Sequence, residues 1–281
     1  MDLSDIEIVF FGTPQLSVWA LEEMQKQNIV PSIIVTARAG RAGRGRQLQE
    51  PPVKIWADTN NIKTLQPKKL DDNFISQLPK NSLFVVFAYG KILPQKLLDI
   101  PKFGSLNIHP SLLPKLRGPS PIRTAILNNE PENVGVSIIL LDAKMDHGPI
   151  IAQEKYNMTN WPVSGIFLDE ALSKLGGQIL SKVLPKWLNN SIEPKEQNHK
   201  EATFCHFIQK SDALIKLDDN PYKNYLKILA FEGWPGAFFI NKRGKRIKIL
   251  KAVLENGELK ILSVLPEGKS EMSFEDYKRG N

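Results

Sequence analysis

Residues Leu83 to Ala88 read LFVVFA, six apolar residues in unbroken succession. A strand with one wet face alternates apolar and polar residues. An unbroken run has both faces covered, as in a parallel sheet with helices on either side. This segment alone narrows the architecture to a layered α/β domain. The chain around it agrees. Ile6 to Phe11 is a second apolar run, ending at Gly12-Thr13-Pro14. Gln15 to Gln25 follows, with Leu16, Trp19, Ala20, Leu21 and Met24 near helical spacing. Pro31 to Thr36 and Ser105 to Ile108 read as further strands, and Pro121 to Leu127 as a helix. Val134 to Leu141 and Ile150 to Tyr156 complete the strands, and Trp161 to Asn190 holds a long helix that closes the domain. Strands alternating with helices predict a mainly parallel sheet.

The remainder differs in character. Pro194 to Glu201 (PKEQNHKE) is polar and reads as a linker. After a helical stretch at Tyr225 to Ala230 come short β-like runs at Ala237 to Ile240, Arg246 to Val253 and Leu259 to Val264. The expected boundaries are residues 1–192 for the α/β domain and 201–281 for a small β-rich one. A length of 281 residues suits one or two domains, because single cores stop growing near ~250–300 residues.

Composition removes several classes of function. Cys205 is the only cysteine, so no intrachain disulfide framework exists, and with four histidines a structural zinc site is not expected. The acidic start MDLSDIEIVFFG does not read as a signal peptide, and no stretch approaches the ~18 apolar residues of a membrane span. A cytoplasmic protein is expected. Gly12-Thr13-Pro14 lacks the glycine spacing that cradles a dinucleotide pyrophosphate, which argues against a nicotinamide-dependent dehydrogenase. There are 37 Lys and Arg against 30 Asp and Glu, a net charge of +7. That excess fits an anionic partner and fits simple solubility equally well.

The chemistry-bearing residues gather at predicted strand ends. Asn107 and His109 are two apart on one strand, so their side chains leave on the same face. Ligands of open parallel sheets bind beyond the carboxyl ends of the strands. An amide there can donate to an oxyanion, and an imidazole can shuttle a proton; a turn cap packed over a structural histidine is the alternative. Asp142 and Asp146 follow the strand at Val134 to Leu141 and precede Gly148-Pro149, at the same sheet edge. A carboxylate beside a histidine favours its protonated form; a solvated loop acid is the alternative. His147 is expected to point elsewhere. Pro110, and then Pro114 and Gly118 in Ser111 to Gly118 (SLLPKLRG), stiffen the turn after His109, and Arg117 is a candidate anion contact.

Taken together, Asn-Ile-His-Pro-Ser-Leu-Leu-Pro-Lys-Leu-Arg-Gly from Asn107, followed by Asp-x-x-x-Asp-x-Gly-Pro from Asp142, resembles the signature of the folate-dependent formyltransferases. The resemblance implies a Rossmann-like mainly parallel sheet followed by a small OB-like β-barrel. It implies transfer of a formyl group from 10-formyltetrahydrofolate to an amine, without a metal. Asn107, His109 and Asp146 take the family's catalytic positions. Ser111, Leu112, Leu113 and Pro114 take the folate-contacting ones, and Phe87, Tyr89, Gly90, Leu93 and Asp142 line the pterin pocket.

The acceptor must be read outside that core. Arg38 to Arg46 (RAGRAGRGR) is cationic, free of acids and without strand or helix pattern, which suits a phosphate backbone. Its position resembles the basic loop of the methionyl-tRNA formyltransferases, clearest over Ala42-Gly43-Arg44-Gly45 and Pro51-Pro52-Val53-Lys54. Arg44 is the best-matched tRNA contact, with Arg38, Arg41 and Arg46 as further candidates. Arg38, Ala39 and Arg41 stand where the family usually has prolines and an aspartate. Phe231 to Ala237 (FEGWPGA) and Val264 to Lys269 resemble landmarks of the family's second domain. Lys242, Arg243, Lys245, Arg246, Lys248 and Lys251 form a basic stripe there. The turn at LENGE replaces further strands that the family usually has. The resemblance implies initiator methionyl-tRNA and folate as partners of a monomer. An amino-sugar formyltransferase and a non-catalytic RNA-binding protein on the same scaffold remain as alternatives.

Overall fold

A computed structural model describes residues 6–42 and 47–280. Arg44 and Arg46, and with them most of the best-matched part of the basic loop, lie outside the described residues. The chain divides into two compact units. One comprises residues up to 117, 135–156 and 170–203; the other comprises 118–134, 157–169 and 204 onward.

The first unit is built on a sheet of seven strands. In chain order its elements are β1 (Glu7–Phe11), α1 (Gln15–Lys26), β2 (Ile33–Val35), β3 (Gly40–Ala42), β4 (Gln47–Gln49), α2 (Pro52–Thr59), β5 (Lys63–Leu65), α3 (Asp72–Ile75), β6 (Ser82–Val86), α4 (Gln95–Leu98) and β7 (Ser105–His109). After α5 (Pro121–Asn128), which belongs to the second unit, come β8 (Gly135–Leu140) and β9 (Ile150–Lys155). The strand order is β5-β2-β1-β6-β7-β8-β9, parallel up to β7 and antiparallel across β8 and β9. The LFVVFA run lies largely in β6, whose five residues are all buried between β1 and β7. On one face Val9, Phe11, Phe84 and Val86 pack with Phe74, Leu78, Tyr89 and Leu97.

α6 (Gly165–Leu188) runs along the back of this sheet through two glycines. A Cβ at Gly176 would stand 2.4 Å from Cγ2 of Ile108, and one at Gly177 would stand 2.5 Å from the Ala20 carbonyl of α1. Ile108 alternates with Asn107 and His109, so α6 presses on the face of β7 opposite those two side chains. The close backing of β7 therefore depends on the missing side chain at Gly176, and the approach to α1 on the one missing at Gly177. Among the described residues no helix is long and apolar enough to cross a membrane.

Two segments depart from expectation. Gly40–Ala42 is not patternless; it pairs antiparallel with Gln47–Gln49 as a two-stranded ribbon, with Arg41 opposite Leu48. Local backbone pairing, which needs no apolar alternation, forms it. The ribbon's base is pinned by Gln66, whose Nε2 donates to the Ala37 carbonyl at 2.8 Å and to Glu50 at 3.0 Å. Pro194 to Glu201 is not a free linker either. Lys195 exchanges backbone bonds of 2.7 and 2.8 Å with Ile150, and Gln197 is 5% exposed.

In the second unit α5 packs against α7 (Pro221–Ala230), and Arg123 pairs through Nη1 and Nη2 with Asp169. Pro221 opens α7, capped by Asn220, which accepts from the Lys223 amide at 3.0 Å. The small β-rich domain is a four-stranded antiparallel sheet, in the order β10 (Phe238–Ile240), β11 (Arg246–Glu255), β12 (Glu258–Pro266) and β13 (Met272–Ser273). α8 (Phe274–Arg279) follows it. Ile215, Phe239, Ile247, Ile249, Val264 and Tyr277 form its core. The LENGE turn is a two-residue hairpin, with Asn256 and Gly257 at φ 52° and 82°, the left-handed pair that a tight antiparallel turn needs.

Candidate active site

β7 ends where the parallel order ends. Its carboxyl end carries Asn107, opposite Ile139 of β8, and His109, opposite Ser137. Both side chains leave on one face, and both are buried, at 9% and 4% exposure. His109 Nε2 lies 3.0 Å from the Leu116 carbonyl. A carbonyl only accepts, so Nε2 carries the proton and Nδ1 is the nitrogen free to exchange one. Nδ1 faces Asp146, with Oδ1 at 3.6 Å, too long for a hydrogen bond and an ion pair only when the ring carries a second proton. Sequence reasoning brought these three residues to one sheet edge, and the structure places His109 and Asp146 in contact.

The turn after His109 is held by Ser137 of β8. Its hydroxyl donates to the Ser111 carbonyl at 2.7 Å and accepts from the Leu113 amide at 3.1 Å and from Gln153 at 2.8 Å. Ser111 in turn donates to the Lys115 carbonyl at 2.7 Å. Ser111 and Leu113 are buried by this arrangement, while Leu112 and Pro114 stay half-exposed. Phe87, Tyr89 and Leu93 are likewise buried, and Gly90 is exposed at φ 78° beside Ala88 at φ 50°. Burial pushes the Tyr89 phenol up to about 12, and its hydroxyl has no protein partner.

Arg117 is not available as an anion contact. It is 4% exposed, and its Nε and Nη2 donate to Gln197 Oε1 at 3.1 and 2.6 Å. Its Nη2 also lies 2.8 Å from His199 Nδ1. Burial lowers the affinity of the guanidinium for its proton, and Asp146 and Asp142 oppose that. His147 has partners of its own. It donates from Nδ1 to Asp142 at 2.7 Å and stacks on His199 with ring centroids 4.0 Å apart. Burial, then the neighbouring His147 and Arg117, hold His199 below its usual range. Asp142 thus serves His147 and, through its oxygens, the amide of Lys144 at 2.9 Å. Gln197 was missed from sequence because a polar stretch reads as solvent-facing, and the exposed His199 because an isolated histidine in such a stretch shows no partner. Glutamine spacing carries no signal of burial.

Arg38 and Arg41 are exposed at the ribbon. In the second unit, Lys242, Arg243 and Lys245 are exposed on the turn between β10 and β11. Asn241 Oδ1 shapes that turn by accepting from the Arg243 and Lys245 amides at 3.0 and 2.9 Å. Arg246 stacks over the Phe238 ring at 3.9 Å. No group of three or more metal-ligating side chains occurs among the described residues.

Comparison with known proteins bears on this geometry. The model of the formyl transferase family matches residues 6–184, and that of the formyl transferase C-terminal domain matches residues 207–260. The methionyl-tRNA formyltransferase of Chloroflexus aurantiacus is 38% identical over 256 residues, covering 90% of this chain and 82% of that protein. The methionyl-tRNA formyltransferase of Carboxydothermus hydrogenoformans is 32% identical over 301 residues, covering 98% and 96%. Among solved structures, a 4-N formyltransferase from Francisella tularensis superposes with a TM-score of 0.68 at 20% identity, covering 92% of this chain and all of that one.

Proposed function

The chain belongs to the formyl transferase family, and from that premise we propose that it moves the formyl group of 10-formyltetrahydrofolate to the free amino group of methionyl-initiator tRNA. The product is N-formylmethionyl-tRNA, and the protein acts as a cytoplasmic monomer. The observation that carries this reading is the buried Asn107–His109 pair on one face of β7, with the Asp146 carboxylate 3.6 Å from His109 Nδ1. Relatives named for this reaction cover most of the chain.

The neutral amine of methionine attacks the formyl carbon, a C–N bond forms, and the carbonyl oxygen becomes an oxyanion. The Asn107 amide donates to that oxygen, a contribution of about 100- to 1,000-fold in rate for one such donor. His109 Nδ1 takes the proton from the attacking nitrogen and returns it to the folate nitrogen as the old C–N bond breaks. The Asp146 carboxylate faces the imidazolium that exists between those two transfers. The exposed backbone at Ala88 and Gly90 fits the polar edge of a pterin, and Leu112 and Pro114 offer it apolar surface. In this reading residues 1–192 carry the chemistry and 201–281 grip tRNA. Arg38, Arg41 and the exposed turn at Lys242 to Lys245 are the phosphate contacts.

The test offers 10-formyltetrahydrofolate with three acceptors in parallel: methionyl initiator tRNA, methionyl elongator tRNA and a 4-amino nucleotide sugar. Transfer to initiator tRNA alone is expected. Transfer to both tRNAs would keep the chemistry and remove the selectivity. Transfer to the sugar alone would replace this reading with amino-sugar formylation.

A further inference from the structure

We propose that Gln197 is a positioning residue for the transfer, and that its side-chain amide holds the Asp146 carboxylate against His109. The inference rests on the formyl-transfer reading and adds a residue to it. Gln197 lies in the stretch whose sequence reads as a linker, yet it is 5% exposed and every polar atom of its side chain is engaged. Its Oε1 accepts from Arg117 Nε and Nη2 at 3.1 and 2.6 Å. Its Nε2 donates to the carbonyls of Asp146 and Gly148 at 2.9 and 2.7 Å.

One carbonyl is Asp146's own and the other is that of Gly148, two residues on, so both bonds hold the loop that carries the carboxylate. Asp146 has φ 48°, a left-handed conformation that a residue with a side chain keeps only where its surroundings impose it. On the other side the loop is pressed to β8: a Cβ at Gly148 would stand 1.8 Å from the Leu140 carbonyl. The loop is therefore gripped between β8 and the Gln197 amide, and the grip sets where the carboxylate sits. Gln197 is anchored in turn by Arg117, itself buried and bonded to His199, and by the Lys195–Ile150 backbone pair two residues away. Only an amide does both jobs. A carboxylate would accept from Arg117 but could not donate to two carbonyls, and an ammonium would do the reverse. Asparagine, one methylene shorter, would lose the reach to one side.

This difference supplies the experiment. Gln197→Leu removes both halves of the clamp, and Gln197→Glu keeps the partner of Arg117 while removing the grip on the loop. Both variants are expected to lower kcat about 10- to 100-fold, the scale of a misplacement near 1 Å. KM for folate and for methionyl-tRNA should move less than about threefold. In an Asp146→Ala background Gln197→Leu should cost nothing more, because it acts through Asp146. Amide exchange at residues 146–148 should quicken in both variants, while β6 and β7 keep wild-type protection. The Glu variant covers the case in which Leu does not fold. Wild-type kcat in Gln197→Glu, or multiplying losses in the double variant, would overturn the proposal while leaving formyl transfer intact. A wild-type protein that transfers no formyl group, with loop exchange still quickened in the variants, would sink the formyl-transfer reading and the catalytic consequence, leaving only the clamp.

Discussion

The end of β7 and the cationic turns use polar residues in opposite ways. At β7, Asn107 and His109 are buried, the His109 ring is fixed at Nε2 by the Leu116 carbonyl, and the loop carrying Asp146 is gripped from two sides. On the β3–β4 ribbon and the β10–β11 turn, Arg41, Lys242, Arg243 and Lys245 stand in water, and what is ordered there is the backbone beneath them. Transition-state charge is stabilised by groups already in place, since a donor that must first be oriented loses what it would contribute. Phosphate binding gains from released counterions and tolerates loose geometry. On the formyl-transfer reading, the first region depends on position and the second on charge.

The largest expected effects test the first half of that contrast. Asn107→Ala and His109→Ala should each lower kcat for formyl transfer by about 100- to 1,000-fold, with KM for either substrate within a few-fold of wild type. Asp146→Asn keeps the shape and removes the charge, and should fall in the same range. Steady-state kinetics on both substrates decide it; turnover near wild type in Asp146→Asn would remove the carboxylate from the mechanism.

A smaller effect probes the scaffold behind the site. Gly177→Ala drives a methyl against the Ala20 carbonyl of α1. Overpacking costs ~1–3 kcal/mol, offset by the ~1 kcal/mol that alanine regains over glycine in a helix. Denaturant melts should show a net loss of about 1 kcal/mol, the middle of the resulting range, and an unchanged midpoint would mean that α6 gives way at α1 without cost.

Weaker still is the expected response of the exposed charges. Lys242→Ala, Arg243→Ala or Lys245→Ala should leave kcat untouched and raise KM for tRNA. The slope of log affinity on log salt should shrink by about one for each phosphate that is no longer neutralised. A fall in kcat without a change in that slope would erase the contrast between the two regions.

The smallest effect is a pH dependence at His199. Its affinity for a proton is lowered in the folded protein by burial, then by His147 and Arg117. The unfolded chain therefore binds more protons below the ordinary histidine value of about 6.5, and the stability contribution is present above that value and lost as pH falls through it. His199→Asn should flatten this part of the stability–pH curve, read by thermal melts between pH 7 and pH 5.

Most of the first unit was legible because apolar periodicity reports burial directly. β1, β6, β7 and α1 fall within a residue or two of where LFVVFA and its neighbours place them. β5, Lys63–Leu65, went unread because a three-residue edge strand with partly exposed side chains has no periodicity to show. The α5 segment looks like one more helix of the first domain, yet it groups with α7. That grouping is settled by packing between helices nearly a hundred residues apart in the chain, which local pattern does not encode.

The sequence by itself determined the layered α/β class, the small β-rich tail and the chemical types at the strand ends. Hydrophobic alternation and the two-residue spacing of Asn107 and His109 are local properties. Only the tertiary structure decided that the Leu116 carbonyl holds His109 at Nε2, that Arg117 is buried, and that Gln197 reaches back to a carbonyl 51 residues earlier. A buried polar group must find a partner, but which partner it finds depends on what packing brings within 3 Å, and nothing in the neighbouring residues records that.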